Sequence, residues 1–173
     1  MTFFENVLGL KVLRHEEFDS GCEATCNGPY GGAWSKTMIG YGPEEKNFAL
    51  ELTYNYGIDS YKNGDDLQYI SLQRDVQDTK AKAEAEGETG YSVAPSGGGG
   101  VLISGPDGYK YKVVPPTEGR TERFVSVGIR VSDLAKSTEY WCGLNGMTSF
   151  PKPAPAGTEC DFPSETVGYA EEQ

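Results

Sequence analysis

The sequence predicts an α+β fold assembled from repeated βαβββ units. Three observations carry this. Short stretches with period-two alternation, bounded by Gly, Pro and Asp turns, recur along the chain and read as strands. Only three segments read as helix, at 3–8, 74–86 and from Ser132 to Trp141. One pattern occurs twice: Phe3-Phe4-Glu5-Asn6-Val7-Leu8-Gly9-Leu10 matches Tyr140-Trp141-Cys142-Gly143-Leu144-Asn145-Gly146-Met147. In both copies two aromatics precede an aliphatic residue, then a glycine and a hydrophobic residue.

The elements follow in order. Residues 3–8 read as the last turns of a helix, stopped at Gly9, because glycine tolerates positive φ. Strands are expected at 11–18, 34–41 and 48–54, with a Gly-rich loop over 19–33 and a polar turn at Gly42-Pro43-Glu44. On the third strand Leu50, Leu52 and Tyr54 share one face, and Glu51 and Thr53 the other. A strand at 67–73 leads into a polar helix over 74–86, ended at Gly87. Short strands near 91–94, 101–104 and 109–114 complete that unit, with Gly97–Gly100 as a loop rather than a phosphate cradle, since no Lys-Ser/Thr and helix follow it. A new unit opens with a strand at 124–131, a helix capped by Ser132, a strand near 147–150, a loop with Pro151, Pro153 and Pro155, and a strand near 165–169.

This order predicts a first domain over 1–116, a stiff linker over 117–123 following Pro115-Pro116, and the start of a second domain over 124–173. Gly40-Tyr41 before its acidic turn also matches Gly168-Tyr169 before Ala170-Glu171-Glu172. Laid over one another, the two copies leave the first without its initial strand and the later one without its last. The chain is therefore expected to be a piece of a longer protein, with a true short form as the alternative.

Composition bounds the function. The chain has 173 residues, 37% of them hydrophobic and 24% charged, and carries 11 Tyr, 7 Phe and 2 Trp, as a folded domain does and a disordered one does not. Its net charge of −11 and lack of a basic stripe argue against nucleic acid and against anionic membranes as partners. No apolar run is long enough to span a bilayer, and the N-terminus does not resemble a signal or transit peptide. An intracellular protein is expected, cytoplasmic or mitochondrial. Of the four cysteines, Cys22 and Cys26 are four apart, and the single His15 is too little for a zinc set. Reduced thiols are expected, with a disulfide or metal pair left open. His15 itself reads as a structural surface residue.

Phe3 to Arg14 resembles the helix end and second strand of glyoxalase I-like modules of the vicinal oxygen chelate superfamily. Gly40-Tyr41-Gly42-Pro43, followed by Leu50-Glu51-Leu52-Thr53-Tyr54-Asn55-Tyr56-Gly57, resembles the most specific signature of that superfamily. Gly105-Pro106-Asp107-Gly108-Tyr109 resembles the turn before its final strand, with Gly105 in place of an Asp. Val131-Ser132-Asp133-Leu134 with Tyr140-Trp141-Cys142 fits the start of a second domain.

The resemblance implies paired βαβββ modules, each pair curling into a cleft. It also implies a metal held by one ligand on the first and last strand of each module in a pair. There the metal stabilises an enediolate while a carboxylate moves the proton of a hemithioacetal of glutathione and a 2-oxoaldehyde. Carried over position by position, Glu51 falls on the second ligand position. The first lies on the strand expected before Phe3. The third falls on Tyr69, the fourth on Lys112, and the first-strand position of the later unit on Ser126. A protonated lysine cannot ligate, and a catalytic metal site needs about three protein ligands. Glu51 is therefore expected as a cleft-facing carboxylate paired with Lys112 or a hydroxyl, with metal ligation as the alternative. Asn55 falls on a position implied to contact glutathione, with turn formation as the other role.

The expected function is a superfamily member without glyoxalase I activity that keeps a cleft for a small molecule or a protein. No cofactor is expected. The alternative is a metal-dependent lyase or isomerase of the lactoylglutathione lyase type, with zinc or nickel at Glu51. A glutathione adduct is the expected small-molecule partner and a homodimer the assembly to test. A dioxygenase is disfavoured, because two His and a carboxylate cannot come from one His.

Overall fold

The computed structural model describes residues 1–86, 90–150 and 164–169. The expected helix stop at Gly87, the Pro-rich loop, Cys160 and the acidic turn after Tyr169 lie outside the described residues. The strands are β1 (Lys11–Phe18), β2 (Trp34–Gly40), β3 (Ala49–Asn55), β4 (Leu67–Gln73), β5 (Val93–Ser96), β6 (Gly100–Ser104), β7 (Lys110–Val114), β8 (Phe124–Ile129), β9 (Thr148–Phe150) and β10 (Thr166–Gly168). Helix α1 covers Val76–Ala85 and α2 Leu134–Thr138. The order of strands and helices is that of an α+β fold.

The chain opens with a π-helical turn, Phe3–Val7, where the sequence suggests ordinary helix. The Leu8 N–H reaches the Phe3 carbonyl at 3.1 Å, and the Leu10 N–H reaches that of Phe4 at 2.9 Å. The widened turn buries Phe3, Phe4, Val7 and Leu8 together, each worth about 1.5–3 kcal/mol of apolar burial. Gly9 then ends it at φ +66°.

Strands β1, β2 and β3 form an antiparallel sheet in that order. Ile39 of β2 lies across from Leu50 of β3, and both face the first turn within the main core. The second sheet runs β5-β6-β7-β4-β8. Its β4 and β7 are parallel, so the chain must cross over between them, and α1 is that crossover. The Asp75 carboxylate caps α1 by accepting the Asp78 N–H at 2.8 Å. Val76, Thr79 and Ala83 are its buried side. The Phe3 ring meets Tyr91 at 4.7 Å and Tyr111 at 5.2 Å, so the opening turn and the second sheet share one core.

Two local expectations are corrected. Helix α2 is capped by Asp133 and not Ser132: the Asp133 carboxylate accepts the Lys136 N–H at 3.1 Å, one of the orphan donors of a helix start. Strand β8 ends at Ile129, two residues early, where the Arg130 N–H turns to the Asp66 carbonyl at 2.6 Å.

The 117–123 segment is held at several points. Gln73, 3% exposed, accepts the Thr117 N–H at 2.8 Å and donates to the carbonyls of Arg120 and Glu122 at 3.2 and 2.7 Å. Strand β8 then joins the second sheet antiparallel to β4, with Ile70 opposite Val127 and Ser71 opposite Ser126. Phe124 is buried against Tyr41 and Phe48, with ring centroids 5.6 and 5.0 Å away.

The repeat is visible in the backbone. A second π-helical turn covers Glu139–Leu144. Its Asn145 N–H reaches the Tyr140 carbonyl at 3.2 Å and its Met147 N–H that of Trp141 at 3.1 Å, the spacings of the first turn. Gly146 ends it at φ +70°. The following strands pair alike: Lys11 opposite Gly40 in the first copy, Thr148 opposite Gly168 in the later one.

Candidate functional site

Residues paired across neighbouring strands point to the same face of a sheet. On β4, Ile70 and Leu72 face the core with α1, so Tyr69 and Ser71 face the opposite side. Lys112 and Ser126 both lie across from Ser71, and Gly128 lies across from Tyr69. The structure therefore collects Tyr69, Lys112 and Ser126 around Ser71 on one face. The Lys112 ammonium sits 5.3 Å from the centre of the Tyr69 ring, a cation–π contact. Gly128 makes room for that ring, since a Cβ there would come within 2.7 Å of it.

Glu51 lies on the other sheet, across from Met38, which in turn lies across from Arg14. It is exposed, on the face opposite Leu50 and Leu52 as the alternation predicts. The Arg14 guanidinium bonds Glu44 at 3.3 and 3.2 Å and also pairs with Glu16. Lys36 lies 3.4 Å from the same Glu16. The hydrogen bond to Glu44 holds the Arg14 pKa above its ordinary value, helped by the charges of Glu16, Glu44 and Glu51. The expected pairing of Glu51 with Lys112 is not formed. The lysine lies over Tyr69 instead, and among the described residues Glu51 has no ion-pair partner within 4 Å.

Asn55, at the end of β3, is 4% exposed. Its side-chain amide donates to the Asn27 carbonyl at 3.0 Å and to the Tyr61 hydroxyl at 2.6 Å, and its oxygen accepts the Asn27 amide at 3.0 Å. His15 bonds Thr37 at 2.8 Å and lies 3.5 Å from Glu17.

Sequence reasoning missed two features and gave a third, the Cys22–Cys26 disulfide, only as an alternative. Asn27 is a buried hub, hinted at only by its place in the turn-forming Asn27-Gly28-Pro29. The Arg14–Glu44 pair joins residues thirty apart. Cys22 and Cys26 are joined as a disulfide, with Cα atoms 5.7 Å apart, which corrects the expectation of free thiols. The loop turns back on itself there, the Thr25 N–H bonding the Cys22 carbonyl at 2.9 Å, and brings the two sulfurs together.

Of the four positions this chain carries the second to fourth, and their donors do not by themselves fit a divalent metal. One carboxylate, one phenol and one amine fall short of the three or more nitrogen, carboxylate or thiolate donors such a site uses, and Glu51 lies on a different sheet from Tyr69 and Lys112. Among the described residues no group of three His, Cys, Asp or Glu side chains could hold a metal ion.

No family model matches the chain. It is 39% identical over 171 residues to mouse glyoxalase domain-containing protein 4, covering 99% of this chain and 54% of that protein. It is 33% identical over 119 residues to the lactoylglutathione lyase of Salmonella typhimurium, covering 66% of this chain and 80% of the lyase. The chain belongs to the glyoxalase I family. Its fold agrees: the crystal structure of glyoxalase I from Zea mays superposes with a TM-score of 0.67 at 25% identity, over 86% of this chain and 50% of the maize chain. The vicinal oxygen chelate fold expected from the Glu51–Asn55 signature is therefore the observed one. The chain spans about half the length of the mouse relative it matches.

Proposed function

We propose that this chain is a glyoxalase-family protein whose cleft binds a small molecule without glyoxalase I catalysis. The observation that carries this reading is the Lys112–Tyr69 contact, 5.3 Å from ammonium to ring centre. It fills two of the positions where the family resemblance implies metal ligands with a cation and a phenol. A fixed cation beside an aromatic ring suits an anionic ligand with a flat or apolar part. A glutathione adduct fits that description through its carboxylates. No resident metal is part of this reading. A first domain over 1–116 and a second beginning at 124, the two sharing a sheet through β8, complete it with an intracellular setting and a homodimer.

Purified protein would be assayed for zinc and nickel, for hemithioacetal turnover, and for calorimetric binding of an S-alkyl glutathione. Binding that weakens at least tenfold in Lys112→Ala, with no turnover in the parent, supports the proposal. Stoichiometric metal that disappears in Glu51→Gln together with hemithioacetal turnover would sink it.

That outcome would establish the second reading, a metal-dependent lyase with Glu51 as ligand. Glu51 is favoured for that role because it is exposed on the sheet face opposite the core and carries no ion-pair partner among the described residues.

A further inference from the structure

We propose that Cys22 and Cys26 form a thiol–disulfide switch whose state is passed to the end of β3 through Asn27. The disulfide closes a ring of five residues within the 19–33 loop. A ring this short adds little loop-closure entropy, so it is a weak staple. Its position suits exchange better than storage. Cys26 is exposed and Cys22 half-buried. Beside Cys22 lies an open hollow of about 300 Å³, lined also by Ser20, Gly21, Thr25, Gly28 and Tyr30, while Cys26 faces solvent, where an attacking thiol reaches its sulfur. Exposed disulfides are the labile kind.

The ring also imposes a conformation that its residues would not choose. Thr25 has φ +56°, alone among the described non-glycine residues, and a β-branched residue there is an outlier. Its N–H bonds the Cys22 carbonyl, and its carbonyl accepts the Gly28 N–H, both at 2.9 Å. Opening the disulfide lets Thr25 return to negative φ, and both bonds are then lost.

The consequence reaches beyond the loop through buried amides. The Cys22 N–H donates to the Asn27 side-chain oxygen at 3.1 Å. The Asn27 amide donates to the Tyr30 carbonyl at 3.1 Å and to the Asn55 oxygen at 3.0 Å, and the Asn55 amide returns a bond to the Asn27 carbonyl at 3.0 Å. Asn27 and Asn55 are 5% and 4% exposed, so water does not replace these bonds. Tyr30 adds a second tie, donating its hydroxyl to the Tyr56 carbonyl at 2.5 Å. A change of backbone at 22–28 therefore alters the support of Asn55, Tyr56 and Tyr61. This inference does not depend on what the cleft binds.

The chemistry balances with an external dithiol as reductant. Its thiolate attacks the Cys26 sulfur, the S–S bond breaks, and Cys22 leaves as thiolate and takes a proton. The second thiol of the reductant then resolves the mixed disulfide. The protein gains two thiols, and the dithiol is oxidised to its disulfide with two electrons transferred.

The test uses the whole chain equilibrated in buffers of reduced and oxidised dithiothreitol. Alkylation and mass spectrometry count the thiols, and amide exchange is read at 19–33 and 54–61. The expected result is a two-thiol transition at 22 and 26. With it, exchange at Gly28 and at 55–58 accelerates on the order of tenfold, as local opening does. Cys22→Ser/Cys26→Ser should show the fast rates at every potential. Asn27→Ala should keep the thiol transition while exchange at 55–58 no longer follows it. A pair that never oxidises in the folded protein overturns the proposal. So does a transition that leaves 55–58 unchanged in the parent chain.

Discussion

The Tyr169 hydroxyl donates to the Asn145 carbonyl at 3.1 Å. It is the counterpart of Tyr41, whose hydroxyl donates to the Leu8 carbonyl at 2.6 Å. In each copy the tyrosine after the second hairpin strand locks the end of the π-helical turn. The two bonds differ in setting. Tyr41 is half-buried against Phe124, while Tyr169 is 44% exposed. Tyr41→Phe should therefore cost about 1–2 kcal/mol in urea unfolding, and Tyr169→Phe less than about 1 kcal/mol, because water replaces a lost bond only where it can reach. Equal costs would show that the difference in exposure between the two tyrosines does not decide the strength of the bond.

Gly9 and Gly146 make the same comparison through the backbone. Both need positive φ, which costs an L-residue about 1–2 kcal/mol. At Gly9 a Cβ would also run into the Arg74 guanidinium, which bonds the Leu8 carbonyl, whereas at Gly146 the space is open. Gly9→Ala should lower the melting temperature clearly more than Gly146→Ala. The measurement is thermal unfolding by circular dichroism.

Much of this fold is legible in the residues. The bounds of β1 and β4 follow from alternation and flanking turns, and the Phe3–Leu10 and Tyr140–Met147 patterns reveal the repeat. The π-helical form of those turns is not legible: the first packs Phe3 and Phe4 against Tyr91 and Tyr111, far along the chain, while the second takes the same form with no buried residue. Of the proposed site, Glu51, Tyr69 and Lys112 are named by resemblance. Which of them meet is not: Lys112 has both Glu51 and Tyr69 as chemically sensible partners, and only the register of β4 with β7 selects the ring. Asn55 shows the same limit. Its amide has both a ligand and a loop as sensible partners, and its bonds to the distant Asn27 are visible only in the fold.

Gly128 is the smallest piece of that selection. Gly128→Ala should push the Tyr69 ring off its place and cost about 1–3 kcal/mol, the usual penalty of overpacking. The displaced ring should also leave Lys112, which a changed lysine side-chain resonance would report. An unchanged lysine environment would mean that the cation–π contact does not hold in solution.

The alkaline limb of stability should be set largely by tyrosine. Burial raises the Tyr111 pKa far above its ordinary value of about 10, and the charge and hydrogen bond of Asp107 raise it further. Burial also raises Tyr41, against the opposing hydrogen bond and charge of Arg74. The folded state then keeps protons that the unfolded state releases. Their contribution is intact below about pH 10 and is lost as pH rises beyond it. The melting temperature should fall above about pH 10 in the parent chain and fall less in Tyr111→Phe. At pH 7 that variant should stay within about 1 kcal/mol of the parent, since the Tyr111–Asp107 bond is long at 3.4 Å.

Strand β8 carries a practical lesson for anyone dissecting this molecule. The prolines at 115 and 116 look like an inviting place for scissors, but the ladder of β4 continues past them to β8. A fragment ending there would lose the neighbour of Tyr69 and Ser71 along a whole strand, and Phe124 from its seat between Tyr41 and Phe48. The bare edge of β4 would invite other chains to pair with it. Expression trials should therefore keep residues through Ile129 with the first half, or expect clumping.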